Sequence, residues 1–362
     1  TEYDSIQVAI DDALDGDTVL VAPGTYFENL IIQKNITLTS HAIYDDMSDW
    51  VDYSDEYFVQ NENINSTVLD GSEGTNGDSL QSVILIESPN ECIEPLIFGF
   101  TITGGSGSIL MVDIGNSEGG REVVPQRRGG GFLAVDALPE FKYNKIYNNK
   151  GKEDGNGTYK PINSGGGGDQ TSGVDIPTHP DYNWGESRIE CEGELDLSYN
   201  FYRDNESLYG STFSTLDFEG FVNMTNSIFD VYEDNAEDVS EYWVNVEADD
   251  GYDASNSDGN LDAITYDVWV SPTGSDDASV TGVESDPFKT INYAFSRIYV
   301  TEDDPVTINL TGGTETDPDI FAPSITGESF PIIMISHVNL NGENQESTIL
   351  DAEGSGRVVV MD

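Results

Sequence analysis

Along residues 15–40, DGDTVLVAPGTYFENLIIQKNITLTS, β-branched and polar positions alternate in short bursts, each ending at a Pro-Gly or Lys-Asn break. No helical period runs through the stretch and no Asn-Gly hairpin signal interrupts it. The bursts predict strands at 18–22, 29–33, 36–40, 67–69, 83–87 and 96–103, with Gly, Asn, Asp or Pro between them. Ahead of them, SIQVAIDDAL sets Ile6, Ala9, Ile10, Ala13 and Leu14 on one face behind Ser5. That spacing predicts a short capped helix over 5–14.

Later segments share a shape. YNKIYNNK (143–150), YNFYRDN (199–205) and TNSIFDVYEDN (225–235) each set an Asn before an apolar or aromatic pair and close on a polar turn. GFTITGG (99–105) has the same shape without the first Asn. The pattern is that of a solenoid whose coils, of about 20–30 residues, pair in parallel with their neighbours. Asn144, Asn200 and Asn226 then either stack as a ladder, amide to amide, or are three unrelated turn residues. Residues 41–64 and 150–186 read as long loops leaving the solenoid at a corner.

From Asp267 the opening pattern returns. KTINYAFSRI answers SIQVAIDDAL, VTINLTGGTE answers DTVLVAPGTY, and STILDAE answers STVLDGS. The offset far exceeds one coil, so a domain start is duplicated. The expectation is one β-solenoid over 1–265 and, over 266–362, the first coils of another with its own cap at 289–298. A short second solenoid leaves RVVVMD as an open strand edge, so the expectation is that the natural chain continues past Asp362 or that another copy covers this end by head-to-tail self-association.

Charge narrows the partners. The chain carries 68 acidic against 14 basic residues, a net charge of −54. Phosphate binding needs clustered Lys and Arg, so a nucleic-acid role is excluded. No apolar run approaches the ~20 residues of a membrane span. Cys92 and Cys191, without CxxC spacing, are compatible with one disulfide in an exported chain or with two separate buried thiols. The opening Thr-Glu-Tyr-Asp fits a mature exported product and a trimmed fragment alike.

The segments DGDTVLVAPGTYFENL, NITLTS, STVLDGS and LIFGFTITGGSG together resemble the N-terminal coils of right-handed parallel β-helix proteins of the pectin-lyase-like superfamily. VWVSPTGSD and SDPFKTINYAF resemble the opening segment of extracellular bacterial β-helix proteins, including family-nine polysaccharide lyases. The resemblance covers about residues 1–110 and 267–362. It implies an all-β, right-handed parallel β-helix with a capping helix, and an extracellular or cell-surface setting. It is specific for fold rather than activity.

Lyases of that superfamily need a basic side chain of lowered pKa and Ca²⁺ held by carboxylates. The basic candidates are Lys142, Lys145, Lys150, Arg188 and Arg203, with Arg121, Arg127 and Arg128 on a loop; none falls in a lyase signature. His41, His179 and His337 lack a partner at useful spacing, and no G-x-S-x-G elbow occurs. For Ca²⁺ the candidate loop is DDGYDASNSDGNLD (249–262), with Asn256, Asp258 and Asp262 as ligands, although Ala254 stands where a carboxylate belongs. An acidic linker is the alternative, and GSDDASVTGVESD (274–286) raises the same question. Sequons stand at Asn35, Asn65, Asn156, Asn205, Asn223 and Asn309.

Without a catalytic pattern, the first expectation is an exported, non-catalytic structural or adhesive protein that self-associates. Two alternatives stand beside it. One is a Ca²⁺-dependent polysaccharide lyase, or another carbohydrate-active β-helix, with its groove near Lys142, Lys145 and Arg188. The other is a glycan-binding module using Tyr182 and Trp184.

Overall fold

A computed structural model describes residues 2–53, 57–73, 81–88, 91–113, 123–135, 137–150, 169–172, 191, 193–205, 212–216, 218, 220–229, 244–245, 248–259, 264–277, 279–354 and 357–361. They fall into two compact units, one holding the described residues up to Gly259 and the other those from Ile264.

In the first unit the chain repeats one circuit through three faces. The first face runs Thr18–Val21, Thr37–Ser40, Leu96–Phe98 and Glu140–Lys142, all parallel. Glu194–Asp196, Phe221–Asn223 and Tyr252–Asp253 begin the later coils in the same way. The second face is a 7-stranded sheet of Gly24–Tyr26, Thr67–Asp70, Thr101–Thr103, Lys145–Tyr147, Phe201–Arg203, Ile228–Phe229 and Asp258–Gly259. The third holds Leu30–Ile32, Ile84–Glu87, Phe132–Val135, Asp169–Ser172, Phe213–Leu216 and Val244–Asn245. Each strand meets its backbone partners in the coils on either side, which makes the unit a parallel β-helix.

Short strands suffice because only alternate residues must face the core. On the second face Leu69, Ile102, Ile146 and Tyr202 are fully buried in one column, with Phe229 stacked on Tyr202 at 5.5 Å between centroids. On the first face Leu38, Ile97 and Phe141 do the same, and Phe141 stacks on Phe132 across the core at 3.8 Å.

Three features differ from the sequence reading. The strand expected over 96–103 breaks at Gly99, whose φ of +80° turns the chain between faces. Residues 41–64 are no solvated loop. They fold into short 3₁₀ turns, the hairpin Val51–Asp52/Phe58–Val59 and the helix Glu62–Ser66, with Trp50, Val51, Val59 and Ile64 buried. Within 150–186, Asp169–Ser172 pairs with Phe132–Val135 and Phe213–Leu216, so a coil strand lies inside that expected loop. A further excursion, the hairpin Ser108–Asp113/Val123–Arg128, was not among the expected strands.

Cys92 and Cys191 form a disulfide with their Cα atoms 5.5 Å apart.

The second unit repeats the plan. Val268–Val270, Val306–Leu310 and Val338–Gly342 run parallel, as do Asp319–Phe321 with Thr348–Leu350 and Ile332–Met334 with Val359–Met361. The two expected capping helices are Ile6–Asp12 behind Ser5 and Ile291–Phe295 behind Thr290. Each also receives a carboxylate from a distant corner. Glu28 accepts from the N–H groups of Ile6 and Gln7, both at 3.0 Å. Glu328 accepts from Ile291 at 2.6 Å and Asn292 at 3.2 Å. Orphan N–H groups at a helix start explain both.

Candidate functional site: an aromatic groove on the coil corner

Between the first and second faces each later coil turns through a pair of residues. The first takes the left-handed conformation: Tyr143, Tyr199, Asn226 and Asn256, with φ of 58°, 60°, 58° and 57°. The second points inward: Asn144, Asn200 and Ser227 are fully buried. Sequence periodicity therefore has to be read on the pair.

The inward members form a ladder. Asn144 accepts from Phe100 N–H at 3.0 Å, and its Nδ2 donates to Ile97 O at 3.0 Å. Asn200 Nδ2 donates to Phe141 O at 2.6 Å. The next rung is Ser227, whose Oγ accepts from Asn200 N–H and donates to Leu197 O, both at 3.1 Å. Asn226 lies one residue earlier, in the outward left-handed position, which corrects the expected third rung. A second ladder, absent from the sequence reading, joins Asn149 to Asn205 through the N–H of Asn149 at 3.1 Å and its Nδ2 at 3.2 Å.

The outward members line a groove. The rings of Tyr143 and Tyr199 stack at 5.2 Å and 22°. Trp50 stands edge-on to Tyr143 at 5.4 Å and Phe98 tilts against it at 5.2 Å. Trp50 reaches this place because the 41–66 insertion shares a hydrophobic cluster with Phe201 and Ile228. Both residues point outward from the second face and would otherwise meet water. Thr101 Oγ1 donates to Ile64 O at 2.9 Å, and Tyr57 OH donates to Asp258 Oδ2 at 3.1 Å, fastening the insertion at two further points.

The cavity measures about 490 Å³, and its lining includes Trp50, Tyr143, Tyr199, Tyr53, Asn226, Asn256, Asp258, Asp46 and Ser48. No Lys, Arg or His is among these lining residues. Burial, then the charge of Tyr199, pushes the Tyr143 phenol up from its ordinary value. Burial and next the Asp258 charge do the same to Tyr53. Both therefore stay neutral donors at neutral pH. Ser48 hydrogen bonds hold Asp46 below the usual carboxylate range, so it is ionised there. Ring faces beside amides, hydroxyls and carboxylates suit a ligand with apolar faces and many hydroxyls.

Of the residues singled out from sequence, Asn226, Asn256 and Asp258 line the groove, and the others lie elsewhere or outside the described residues. The 249–262 segment forms two coil strands, with Asn256 at the left-handed corner and Asp258 bonded to Tyr57 and to its neighbour Gly259 N–H. Asn256 and Asp258 therefore belong to a regular coil turn. Asp262 lies outside the described residues, as do Arg121, Arg188, His179, Tyr182, Trp184 and Asn156. Among the described residues no three His, Cys, Asp or Glu side chains converge as a metal group. His41 meets Tyr44 edge-on, and His337 occupies a left-handed turn with φ of 63°.

Lys142 pairs with Asp196 at 2.7 Å and Glu140 at 3.3 Å. Burial opposes its charge, but these carboxylates, Asp196 foremost, hold its amine above the ordinary value. Lys145 differs: burial, then the charge of Arg203, pushes it down, and it sits 4.8 Å from the Tyr147 ring centroid. Arg203 is near Asp204 at 3.6 Å, Arg128 is buried, Lys150 is exposed, and Arg127 belongs to the strand Val123–Arg128.

Among the sequons, Asn205 is 8% exposed and its Nδ2 donates to Ile146 O at 2.9 Å. The folded chain leaves no room for a glycan there. Asn65 is exposed, while Asn35, Asn223 and Asn309 are half-buried.

No family model matches the chain, and no curated protein matches it in sequence. Solved structures similar to it include a pectin methylesterase from Yersinia enterocolitica, at 13% identity and a TM-score of 0.34, covering 97% of this chain and 95% of that one. A pectin methylesterase from Aspergillus niger is similar at 11% identity and a TM-score of 0.25, covering 99% and 86%. The parallel coils described above rest on the strand pairings themselves. Among the described residues no helix is long and apolar enough to cross a membrane.

Proposed function

We propose that the first unit recognises a saccharide chain in the groove beside Tyr143 and Tyr199. One observation carries the reading: two stacked tyrosines occupy the same corner position as Asn226 and Asn256 of the following coils. Flat apolar rings and hydrogen-bonding amides thus follow one another along a single column. A pyranose chain presents both kinds of surface. The Cys92–Cys191 disulfide supports an exported setting for such binding.

The test is a titration of wild-type protein and Tyr199→Ala with soluble oligosaccharides of different chemistry, followed by tryptophan fluorescence and calorimetry. Binding by the wild type that falls at least about ten-fold in the variant supports the reading. Saccharide binding indifferent to Tyr199, with the fold intact by circular dichroism, would sink it.

A catalytic reading has one specific observation in its favour, the half-buried Lys145 whose amine is pushed below its ordinary value. Such an amine suits proton abstraction from a uronide. Release of unsaturated product, seen as ultraviolet absorbance and lost in Lys145→Met, is the measurement that decides it.

A further inference from the structure

We infer that the groove takes a polycationic amino-sugar chain, one bearing free amines, in preference to its N-acetylated or uronic counterparts. This rests on the saccharide reading above. The first ground is the composition of the walls. Asp46 and Asp258 contribute carboxylates, and no lining residue offsets them. Asp46 Oδ1 accepts from Ser48 N–H at 3.0 Å. On Asp258, Oδ1 accepts from Gly259 N–H at 2.9 Å and Oδ2 from Tyr57 OH at 3.1 Å. A carboxylate offers about four lone-pair positions, so both retain acceptor capacity for a ligand.

The second ground is the ring faces. Tyr199, stacked on Tyr143 and itself exposed, presents an electron-rich surface, and an ammonium near such a face is attracted to it. An N-acetyl group lacks that charge. The third ground is the long-range field: 68 acidic against 14 basic residues draw a polycation in and turn a polyuronate away. A neutral sugar would cover the two carboxylates without pairing their charge, and burying an unpaired charge is costly. A uronate would add repulsion. An ammonium answers all three conditions.

The experiment compares a glucosamine oligomer, the N-acetylglucosamine oligomer of equal length and a galacturonate oligomer by calorimetry at low and high salt. The full chain is used as wild type, Tyr199→Ala and Asp258→Asn. The expected result is glucosamine binding about ten-fold tighter than its acetylated twin, weakening with salt, with the preference largely lost in Asp258→Asn. Equal or tighter binding of the acetylated or galacturonate oligomer overturns this inference and leaves the groove as a saccharide site. Glucosamine binding unaltered by Tyr199→Ala also overturns it, because the attraction then belongs to the acidic surface at large. Failure of all three oligomers to bind overturns this inference, and the saccharide reading falls with it only where the wider set of oligosaccharides also fails to bind.

Discussion

Asn200 Oδ1 accepts two hydrogen bonds from Asn144, one from its N–H at 3.0 Å and one from its Nδ2 at 3.2 Å. Both residues are fully buried, so each amide depends wholly on its neighbours in adjacent coils. Replacing Asn200 by Leu leaves the Asn144 N–H and amide without this acceptor. The expected loss is about 2–4 kcal/mol of unfolding free energy, at about 1–3 kcal/mol per stranded buried group. Urea unfolding measures it; a variant as stable as wild type would mean the ladder is decorative.

Trp50 joins the insertion to the groove. At 4% exposure it fills the cluster that seats residues 41–66, so Trp50→Ala should cost about 3–5 kcal/mol locally. Hydrogen exchange ought to rise over 41–66 while the inner coil strands keep their protection. Uniform loosening of the whole first unit would contradict this placement.

At Gly99 two constraints coincide. Its φ is +80°, and an added Cβ would lie 2.6 Å from Ala42 Cβ and 2.8 Å from Ser40 Oγ. Gly99→Ala is expected to destabilise by about 1–3 kcal/mol, from backbone strain together with overpacking. Gly99→Ala combined with Ala42→Gly relieves only the contact and should recover part of the loss, which a double-mutant cycle in urea resolves.

The Cys92–Cys191 disulfide spans 99 residues of sequence. Cross-linking over that length is worth about 4–5 kcal/mol in the chain-entropy picture. The double variant Cys92→Ser with Cys191→Ser should melt well below the oxidised wild type and close to the reduced one. Identical melting of all three would show that the link contributes nothing.

Glu328 gives the second unit a pH response. Burial pushes its carboxyl up from 4.5 to about 7, although the N–H groups of Ile291, Asn292 and Ser329 favour the ionised form; Asp276 adds to the rise. Asp276 caps the same helix, accepting from the N–H groups of Lys289 at 2.8 Å and Thr290 at 3.1 Å. Because the folded value lies above the unfolded one, the contribution is full below about pH 4.5 and is lost as pH rises through about 7. The span corresponds to about 3 kcal/mol. Protection factors over Ile291–Phe295, with the intrinsic base catalysis of amide exchange divided out, should fall between mildly acidic and mildly alkaline solution. Glu328→Gln should flatten that profile, and an unchanged profile would refute the assignment.

Much of the coil architecture was visible in the β-branched runs, because a parallel solenoid asks little more of a strand than alternate apolar residues. The corner register was half visible. Tyr143-Asn144 and Tyr199-Asn200 repeat openly, but TNS at 225–227 offers two polar residues, and choosing Asn226 over Ser227 shifted the third rung outward. The groove was hidden for a different reason: Trp50, Tyr143 and Tyr199 come from separate parts of the chain, and no local pattern joins them. The part played by individual acidic residues was hidden in the same way. Asp258 is engaged by Tyr57, and Asp276 by the start of a helix, uses that composition alone cannot distinguish from cation binding.

The left-handed corner residue has a consequence for how this scaffold can change. Its backbone is held by the buried partner that follows, while its own side chain faces out, and it has been filled by Tyr at 143 and 199 and by Asn at 226 and 256. Chemistry on the surface is thereby uncoupled from the structure beneath. Aromatic rings could be moved along this column of corners by exchanging Asn226 or Asn256 for Tyr, one coil at a time, and recognition rewritten with no repacking of the interior.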